Sequence, residues 1–218
     1  MPETFNWDGY WKGTVDGGPM NANGSVARLD SLDTFISDVG VPASFADIGC
    51  GEARAAAHVA ETHPETTVKG YDISPTVIEQ NRADYDLPNL SFGVAELPSP
   101  NISHQFEMVH CYVTLHYMRE IEQAVEDLYD LVEPGGHLIV SYPNDATEQV
   151  YGEGIDKGTP LRERFQLICD GVNTISHQRI GELLDAPVFD YWEWTDAPDE
   201  ASGPDGCNPC SVVTKPTE

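Results

Sequence analysis

The chain has 218 residues, and 37 Asp and Glu residues outnumber 11 Lys and Arg residues, which gives a formal net charge of −26. A chain this acidic, with no basic cluster along its sequence, argues against binding of nucleic acid. No apolar run approaches the ~20 residues that a membrane helix needs, and the acidic start lacks the apolar segment of a signal peptide. The five cysteines are scattered and odd in number, which favours a reducing cytoplasm over a disulfide framework.

The net charge also bears on the environment of the protein. Self-repulsion at −26 is severe for one domain of this length. Salt at several molar shortens the Debye length to about 3 Å or less and screens that repulsion. We therefore expect a cytoplasmic protein of a salt-accumulating halophile, with an ordinary acidic protein as the alternative.

The first 24 residues are rich in turn-forming residues and carry four aromatic side chains: Phe5, Trp7, Tyr10 and Trp11. Apolar residues at helical spacing then predict a helix from Ser25 to Val39. The aromatic residues either pack under this helix or contribute to a ligand site, since aromatic faces also hold cations. Arg28, near the start of the helix, is expected to be a surface cation.

The next segment has the pattern of strand, glycine turn and helix. Ser44 to Ile48 predicts a strand, and Ala53 to Ala60 predicts a helix. Between them lie glycines that allow a sharp turn and close approach to a ligand, and the helix N-terminus offers free N–H groups. Arg54 occupies the third glycine position of a dinucleotide fingerprint, so that fingerprint fits poorly. The spacing that fits is D-x-G-x-G-x-A, from Asp47 to Ala53.

A second strand, Thr66 to Asp72, is predicted to end in a carboxylate. Asp72 lies 21 residues after Gly51, where a carboxylate can accept hydrogen bonds from both hydroxyls of a ribose. Ser74 and Pro75 then predict the start of a helix that runs to about Tyr85.

The remaining elements alternate between strands and helices as far as residue 142, and this alternation predicts βαβ units. Residues 143–173 show little periodicity, apart from an amphipathic piece at 161–168. Strands 6 and 7 are separated only by turn-forming residues, which predicts an antiparallel pair at the C-terminus. The other predicted strands are Asn89–Val94, Phe106–Tyr112, His137–Tyr142, Pro187–Thr195 and Ser211–Lys215. Two further helices are predicted: Arg119–Leu131, and a helix that is capped by Thr174 or Ser176 and ends at Leu184.

Cys207 and Cys210 have C-x-x-C spacing, but no second pair completes a zinc site. They lie among Gly and Pro residues, which favours a turn over a metal or redox function. No metal site is expected.

In the glycine loop, in Asp72-Ile-Ser-Pro, and in Leu131-Val-Glu-Pro-Gly-Gly136, the chain resembles the small, single-domain class I S-adenosylmethionine-dependent methyltransferases. The resemblance implies a three-layer α/β/α Rossmann-like domain over residues 1–218, with a mostly parallel seven-stranded sheet and an antiparallel C-terminal strand. It implies an N-terminal lid region at 1–43, a cofactor-binding core at 44–142, a substrate-covering insertion at 143–173, and a C-terminal helix and strand pair at 174–218.

The resemblance also implies which residues bind S-adenosyl-L-methionine. The glycine loop is expected to bind the methionine end of the cofactor, Asp72 the ribose, and the end of strand 3 the adenine. At the end of strand 3 the family often has Gly-Asp-Ala, in which the Asp contacts the adenine amino group. This chain has Gly93-Val94-Ala95, so Glu96 or the Ala95 backbone is expected to replace that Asp. Arg28 is a further candidate for the cofactor carboxylate. The expected cofactor-binding residues are Asp47, Gly49, Cys50, Gly51, Asp72, Ile73, Ala95, Glu96 and His110.

Methyl transfer from a sulfonium needs alignment and exclusion of water more than side-chain chemistry. A general base would help an acceptor that must lose a proton. The candidates are His110, His116 and Tyr142, and a structural role is the alternative for each. We expect a small-molecule acceptor enclosed by residues 1–24 and 143–173. A non-catalytic cofactor-binding homologue and a nucleotide-dependent oxidoreductase are the alternative functions.

Overall fold

The structure is a computed structural model that describes residues 5–17, 26–203 and 206–217. The strands are β1 (Ser44–Ile48), β2 (Thr67–Asp72), β3 (Leu90–Val94), β4 (Phe106–Cys111), β5 (Val132–Ser141), β6 (Val188–Asp190) and β7 (Cys210–Thr214). The helices are α1 (Trp7–Trp11), α2 (Val26–Val39), α3 (Arg54–Thr62), α4 (Pro75–Asp84), α5 (Ile121–Asp130), α6 (Asp145–Gly154), α7 (Pro160–Arg164), α8 (Gln166–Cys169), α9 (His177–Leu184), α10 (Tyr191–Trp194) and α11 (Asp199–Ser202). Ser25, the predicted first residue of the second helix, lies outside the described residues.

The seven strands form one sheet in the order β3-β2-β1-β4-β5-β7-β6. The first five strands run parallel to one another, and β7 runs antiparallel to both β5 and β6. The predicted fold class and the antiparallel C-terminal pair are therefore confirmed. Since β1 and β4 are neighbours that run in the same direction, the loops after them lie side by side at the carboxyl edge of the sheet.

Each face of the sheet is covered by helices, since consecutive residues of β1, which point to opposite faces, are buried alike. Ala46 and Val109 point to the face that α5 and α9 cover. Phe45 and Met108 point to the opposite face, against α2, α3 and α4. This gives the three layers of the fold and places the carboxyl ends of β1, β2 and β4 beyond the packed core.

The predicted helix starts follow from local capping chemistry. The hydroxyl of Ser74 accepts a hydrogen bond from the backbone N–H of Val77, and Pro75 occupies the first turn of α4, where its missing N–H costs nothing. The hydroxyl of Ser176 accepts from Arg179 N–H in the same way at the start of α9. Of the two residues predicted to cap that helix, Ser176 is the cap.

Two predicted segments differ from the structure. Residues 191–194, predicted as part of strand 6, form α10, because the carboxylate of Asp190 caps the turn by accepting from Glu193 N–H. Residues 143–173, predicted to be largely irregular, contain α6, α7 and α8. A capping box between Asn144 and Thr147 starts α6, and the Thr159 hydroxyl caps α7.

Candidate active site

The glycine loop makes three left-handed backbone turns between β1 and α3. Gly49 and Gly51 have φ of 74° and 50°, and Ala53 has φ of 55°. A Cβ at Gly49 would lie 2.0 Å from the hydroxyl oxygen of Thr114, in the loop after β4. Glycine is therefore required here by the approach of a neighbouring loop as well as by its φ.

The second strand delivers Asp72 to this loop. One carboxylate oxygen accepts a hydrogen bond from Gly51 N–H at 3.0 Å, and the other accepts from Ser74 N–H at 2.9 Å. Burial raises the pKa of the Asp72 carboxyl, and these two backbone hydrogen bonds oppose the rise. A carboxylate has about four lone-pair sites, more than these backbone groups use, so it can accept a further hydrogen bond from a ligand.

Asp72 lies in the wall of a cleft at the carboxyl edge of the sheet. The cleft has apolar and aromatic walls with a few polar groups, which is the usual composition of small-ligand sites. Its lining residues are Trp7, Trp11, Ile48, Gly49, Gly51, Asp72, Ile73, Ala95, Glu96, Leu97, Tyr112, Val113, Thr114, Tyr117 and Met118.

Six of the predicted cofactor-binding residues meet in this cleft: Gly49, Gly51, Asp72, Ile73, Ala95 and Glu96. Cys50 does not line it. The Cys50 side chain is 1% exposed and points into the core, where its sulfur lies 3.9 Å from the amide nitrogen of Asn81. In the loop, the side chain of Cys50 therefore has a packing role, and its backbone N–H and carbonyl are hydrogen-bonded to Tyr71 and Ala53.

The aromatic leader closes one side of the cleft. Trp7 and Trp11 of α1 line it, and the Trp7 ring packs edge-on against Tyr117 with ring centroids 4.6 Å apart. The sequence left open whether these aromatic residues pack under the second helix or join the site, and the structure places two of them in the site.

The loop after β4 contributes Tyr112, Val113 and Thr114 to the cleft wall. The resemblance to the methyltransferases assigns this segment, His110 to Tyr117, to the reacting methyl group. Val113 has φ of 54°, a costly conformation for a β-branched residue. Its N–H donates to the hydroxyl of Ser141 at 2.6 Å, which helps to hold this turn. No sequence signal predicts a left-handed valine.

His110 and Asp47 pair across β1 and β4, where they are partners in the register of the two strands. The His110 Nδ1 and an Asp47 carboxylate oxygen are 2.9 Å apart. The His110 ring is stacked with Phe45 and Tyr112, at centroid distances of 6.0 and 6.2 Å. Neither His110 nor Asp47 lines the cleft. Their geometry supports a role in shaping the strand ends and gives no support to the predicted base role of His110.

His116 and Tyr142 are also remote from the cleft surface. The His116 side chain is fully buried, and burial lowers its pKa to about 3. Tyr142 lies in a different depression, where its hydroxyl is 3.0 Å from that of Ser211. The predicted base role of these two residues finds no support in their placement.

Arg28 corrects one expectation. We expected a surface cation, but Arg28 is half-buried and its guanidinium carbon lies 4.6 Å from the centroid of the Tyr112 ring. Tyr112 lines the cleft, whereas Arg28 itself does not. Cys207 and Cys210 are both buried. In the described ranges, 5–17, 26–203 and 206–217, no group of three or more His, Cys, Asp and Glu side chains could hold a metal ion.

The strand order, the glycine loop and the carboxylate at the end of β2 define a class I methyltransferase fold. The residues of the cleft suit S-adenosylmethionine, because Asp72 can accept hydrogen bonds from a ligand and the surrounding walls are apolar.

Comparison with known proteins supports this class. Residues 46–138 match the family model described as a methyltransferase domain. The trans-aconitate 2-methyltransferase of Methylobacterium radiotolerans is 29% identical over 105 residues, which cover 48% of this chain and 40% of the relative. The enzyme of the same name from Deinococcus radiodurans is 29% identical over 101 residues, 46% of this chain and 38% of the relative. The matched region thus spans about two fifths of the relatives' length.

Solved structures agree on the fold. The plantazolicin methyltransferase BpumL, in complex with a triazolic desmethylPZN analog and SAH, superposes with a TM-score of 0.64 at 14% identity, covering 87% of this chain and 85% of that one. A TehB-like SAM-dependent methyltransferase from Corynebacterium glutamicum gives 0.55 at 18% identity, with 85% and 87% coverage. Residues 46–138 therefore resemble a methyltransferase domain in sequence, and the chain shares the fold of solved methyltransferases. Across the described part of the chain, no helix is both long and apolar enough to cross a membrane.

Proposed function

We propose that this protein transfers a methyl group from S-adenosylmethionine to a small-molecule acceptor. The observation that carries the proposal is the cleft itself, which combines the Asp72 carboxylate and glycine loop on one side with an aromatic wall on the other. The curated relatives are named for a small organic acid, trans-aconitate, and this supports a small acceptor.

Asp72 is the group that would hold the ribose hydroxyls, through the lone pairs that Gly51 and Ser74 leave unused. Ile73 and Ala95 flank the adenine position, and Glu96 is the side chain that could replace the acid missing at Val94. Arg28, whose guanidinium lies against the cleft residue Tyr112, is the cation that we propose for the methionine carboxylate.

When bound, S-adenosylmethionine supplies a methyl group that its sulfonium has already activated. The chain's own residues would then orient the acceptor and exclude water. Val113 and Thr114 form the floor of the cleft, and Trp7 and Tyr117 close it from the side. Since neither His110 nor His116 lines the cleft, acceptors that are already good nucleophiles fit this site best.

The leader helix α1 and the segment α6–α8 are the two covers that we propose for the acceptor. α1 already lies against the cleft, with Trp7 and Trp11 in its wall. The second segment contributes through Phe165, whose ring is stacked with Tyr117 at 5.4 Å.

Two measurements test the proposal. Isothermal titration with S-adenosylmethionine and with NAD should show binding of the first alone, and binding of NAD alone would favour an oxidoreductase. Release of S-adenosylhomocysteine should then occur with at least one member of a small-molecule panel. Tight cofactor binding without product release would favour the non-catalytic alternative, and turnover with tRNA alone would refute the small acceptor.

A further inference from the structure

The lining of the cleft divides into two parts along the edge of the sheet. One part lies at the ends of β1, β2 and β3 and holds the residues proposed for the cofactor, among them Asp72 and Glu96. The other part comes from α1 and from the segment that follows β4. Because β4 lies on the far side of β1 from β2, this second part is the region left for the acceptor. We call it the acceptor wall, and it consists of Trp7, Trp11, residues 112–114, Tyr117 and Met118.

The acceptor wall offers no charge to a ligand. Among the described residues that line the cleft, none is Lys, Arg or His, and the only acids, Asp72 and Glu96, belong to the cofactor part. Arg28 lies against the Tyr112 ring without lining the cleft, and it is already proposed for the cofactor carboxylate. Burial raises the pKa of the Tyr112 and Tyr117 hydroxyls, so both stay protonated and neutral.

An anionic acceptor would therefore be disfavoured at this wall. It would lose its hydration on entering the cleft without gaining an opposite charge in return. It would also approach two carboxylates of the cleft, Asp72 and Glu96, in a protein whose net charge is −26. Local and overall charge thus favour an uncharged acceptor.

Two aromatic rings form a corner of the acceptor wall. The rings of Trp7 and Tyr117 meet with centroids 4.6 Å apart and planes at 68°. Each ring is fixed by a further aromatic contact: Tyr117 is stacked with Phe165 at 5.4 Å, and Trp7 meets Phe5 edge-on at 4.8 Å. A planar ring in this corner can stack on one aromatic side chain and meet the other edge-on, which are the geometries that aromatic pairs prefer.

The reaction adds a requirement on the acceptor atom. Neither His110 nor His116 lines the cleft, so the acceptor needs a lone pair that is free at neutral pH. That lone pair forms a bond to the methyl carbon, while the bond from the methyl group to sulfur breaks and its electron pair stays on sulfur. The positive charge passes to the acceptor, and no proton has to be removed. Aromatic faces stabilise such a charge, so the acceptor wall suits this redistribution.

We propose that the acceptor is an uncharged aromatic heterocycle, methylated on a ring nitrogen, that lies in the corner between Trp7 and Tyr117. The same wall discriminates against carboxylates, including the trans-aconitate for which the matched relatives are named. The proposal rests on the proposed methyltransferase function and specifies its substrate class.

The first test measures binding to the natural protein saturated with S-adenosylhomocysteine. Calorimetry compares quinolinecarboxamide with quinolinecarboxylate, which differ in charge, and benzamide with cyclohexanecarboxamide, which differ in aromaticity. We expect the quinoline amide to bind roughly tenfold or more tightly than its carboxylate. Benzamide should bind about twofold to tenfold more tightly than its saturated counterpart. If the carboxylate binds as tightly as its amide, or if no uncharged aromatic probe binds, the proposal is overturned.

Turnover separates the substrate class from the function itself. With S-adenosylmethionine, quinoline should give the N-methyl quinolinium ion and S-adenosylhomocysteine, both measured by mass spectrometry, at a higher rate than trans-aconitate is methylated. Faster methylation of trans-aconitate would overturn the substrate class and leave the methyltransferase function standing. Failure to bind S-adenosylhomocysteine would instead refute the proposed function.

The last test assigns the aromatic preference to the corner. Trp7→Leu should bring the ratio of benzamide to cyclohexanecarboxamide affinity close to one, whereas Trp7→Phe, which keeps an aromatic ring, should retain most of it. Phe189→Leu removes an aromatic side chain of β6, 45% exposed and outside the cleft, and should keep the wild-type ratio. All three variants should bind S-adenosylhomocysteine within a few-fold of wild type. A Trp7→Leu protein that does so and keeps the full ratio would overturn the assignment.

Discussion

The carboxylate of Asp8 accepts hydrogen bonds from both the hydroxyl and the backbone N–H of Thr76, at 2.6 and 3.3 Å, across 68 residues of sequence. It also accepts from the hydroxyl of Ser74 at 3.0 Å. Because the N–H of Ser74 donates to Asp72, one turn holds both the leader helix and the carboxylate proposed for the ribose. Docking of the leader and shaping of the cofactor site are therefore mechanically linked.

Replacing Asp8 by Ala should loosen the leader without unfolding the domain. We expect easier proteolytic cleavage of the leader, weaker protection by S-adenosylhomocysteine, and a severalfold loss of cofactor affinity. The melting temperature should change little, since surface contacts of this kind contribute little to global stability. Limited proteolysis and calorimetry measure these effects. Asp30→Ala, an exposed change in α2, is the control, and equal cleavage of the two variants and wild type would contradict the linkage.

Asp72→Asn should lower the affinity for S-adenosylmethionine by about 1–3 kcal/mol, because a charged acceptor is lost while the side-chain shape is kept. Since burial raises the pKa of Asp72 above its ordinary value of 3.8, the charge that binds the ribose is lost at a higher pH than for an exposed aspartate. Cofactor affinity should therefore weaken as the pH falls through that raised value. Titration calorimetry at several pH values checks both points.

The exposed Asp84→Asn change at the end of α4 is the control for Asp72. It should leave both the affinity and its pH dependence as in wild type. An Asp72→Asn protein that binds with wild-type affinity would remove Asp72 from the site.

His116 should affect stability in acid and not catalysis. Its pKa falls from 6.5 to about 3 on folding, so between these values the unfolded chain binds a proton that the folded chain does not. The stabilisation present above pH 6.5 is consequently lost as the pH falls toward 3. Between neutral pH and about pH 5, the melting temperature of His116→Leu should therefore fall by less than that of the wild type.

A general base typically increases the rate of a reaction by a factor of roughly 10²–10⁴. The turnover number of His116→Leu should stay within a few-fold of wild type. If His116→Leu is folded and binds the cofactor but its turnover number falls by a hundredfold or more, the base role suggested by the sequence would be restored. His63→Gln serves as the matched control for the loss of a histidine.

The net charge of −26 gives a prediction about salt. If the acidity reflects a halophilic cytoplasm, as we propose, the melting temperature should rise steeply with KCl between ~0.1 and ~2 M, where screening changes most. Differential scanning fluorimetry measures the rise. A flat curve would leave the acidity without this explanation.

Local patterns explain why the glycine loop and Asp72 could be predicted to lie together. Gly49 and Gly51 follow β1 and Asp72 ends β2, and the neighbouring strands are parallel, so their carboxyl ends lie side by side. The Asp190-x-x-Glu193 spacing at α10 is a capping signal that was also present in the sequence, although the apolar run around it favoured a strand.

The acceptor half depends on contacts between distant parts of the chain. Asp8 meets Thr76 across 68 residues, and Arg28 of α2 reaches Tyr112 after β4. Phe165, between α7 and α8, packs against Tyr117 of the cleft wall and against Tyr151 of α6. The periodicity and spacing of a single sequence do not predict contacts between residues so far apart, so these contacts could not be predicted.

The left-handed Val113 in the floor of the cleft has an evolutionary implication. A β-branched residue at φ of 54° is held there at the expense of folding free energy. Glycine would relax this backbone, so a more stable variant is one substitution away. Persistence of valine would mean that selection has favoured a rigid, filled floor over stability, which is the trade-off common at catalytic positions. Position 113 is thus where attempts to make this protein more robust are expected to conflict with its activity.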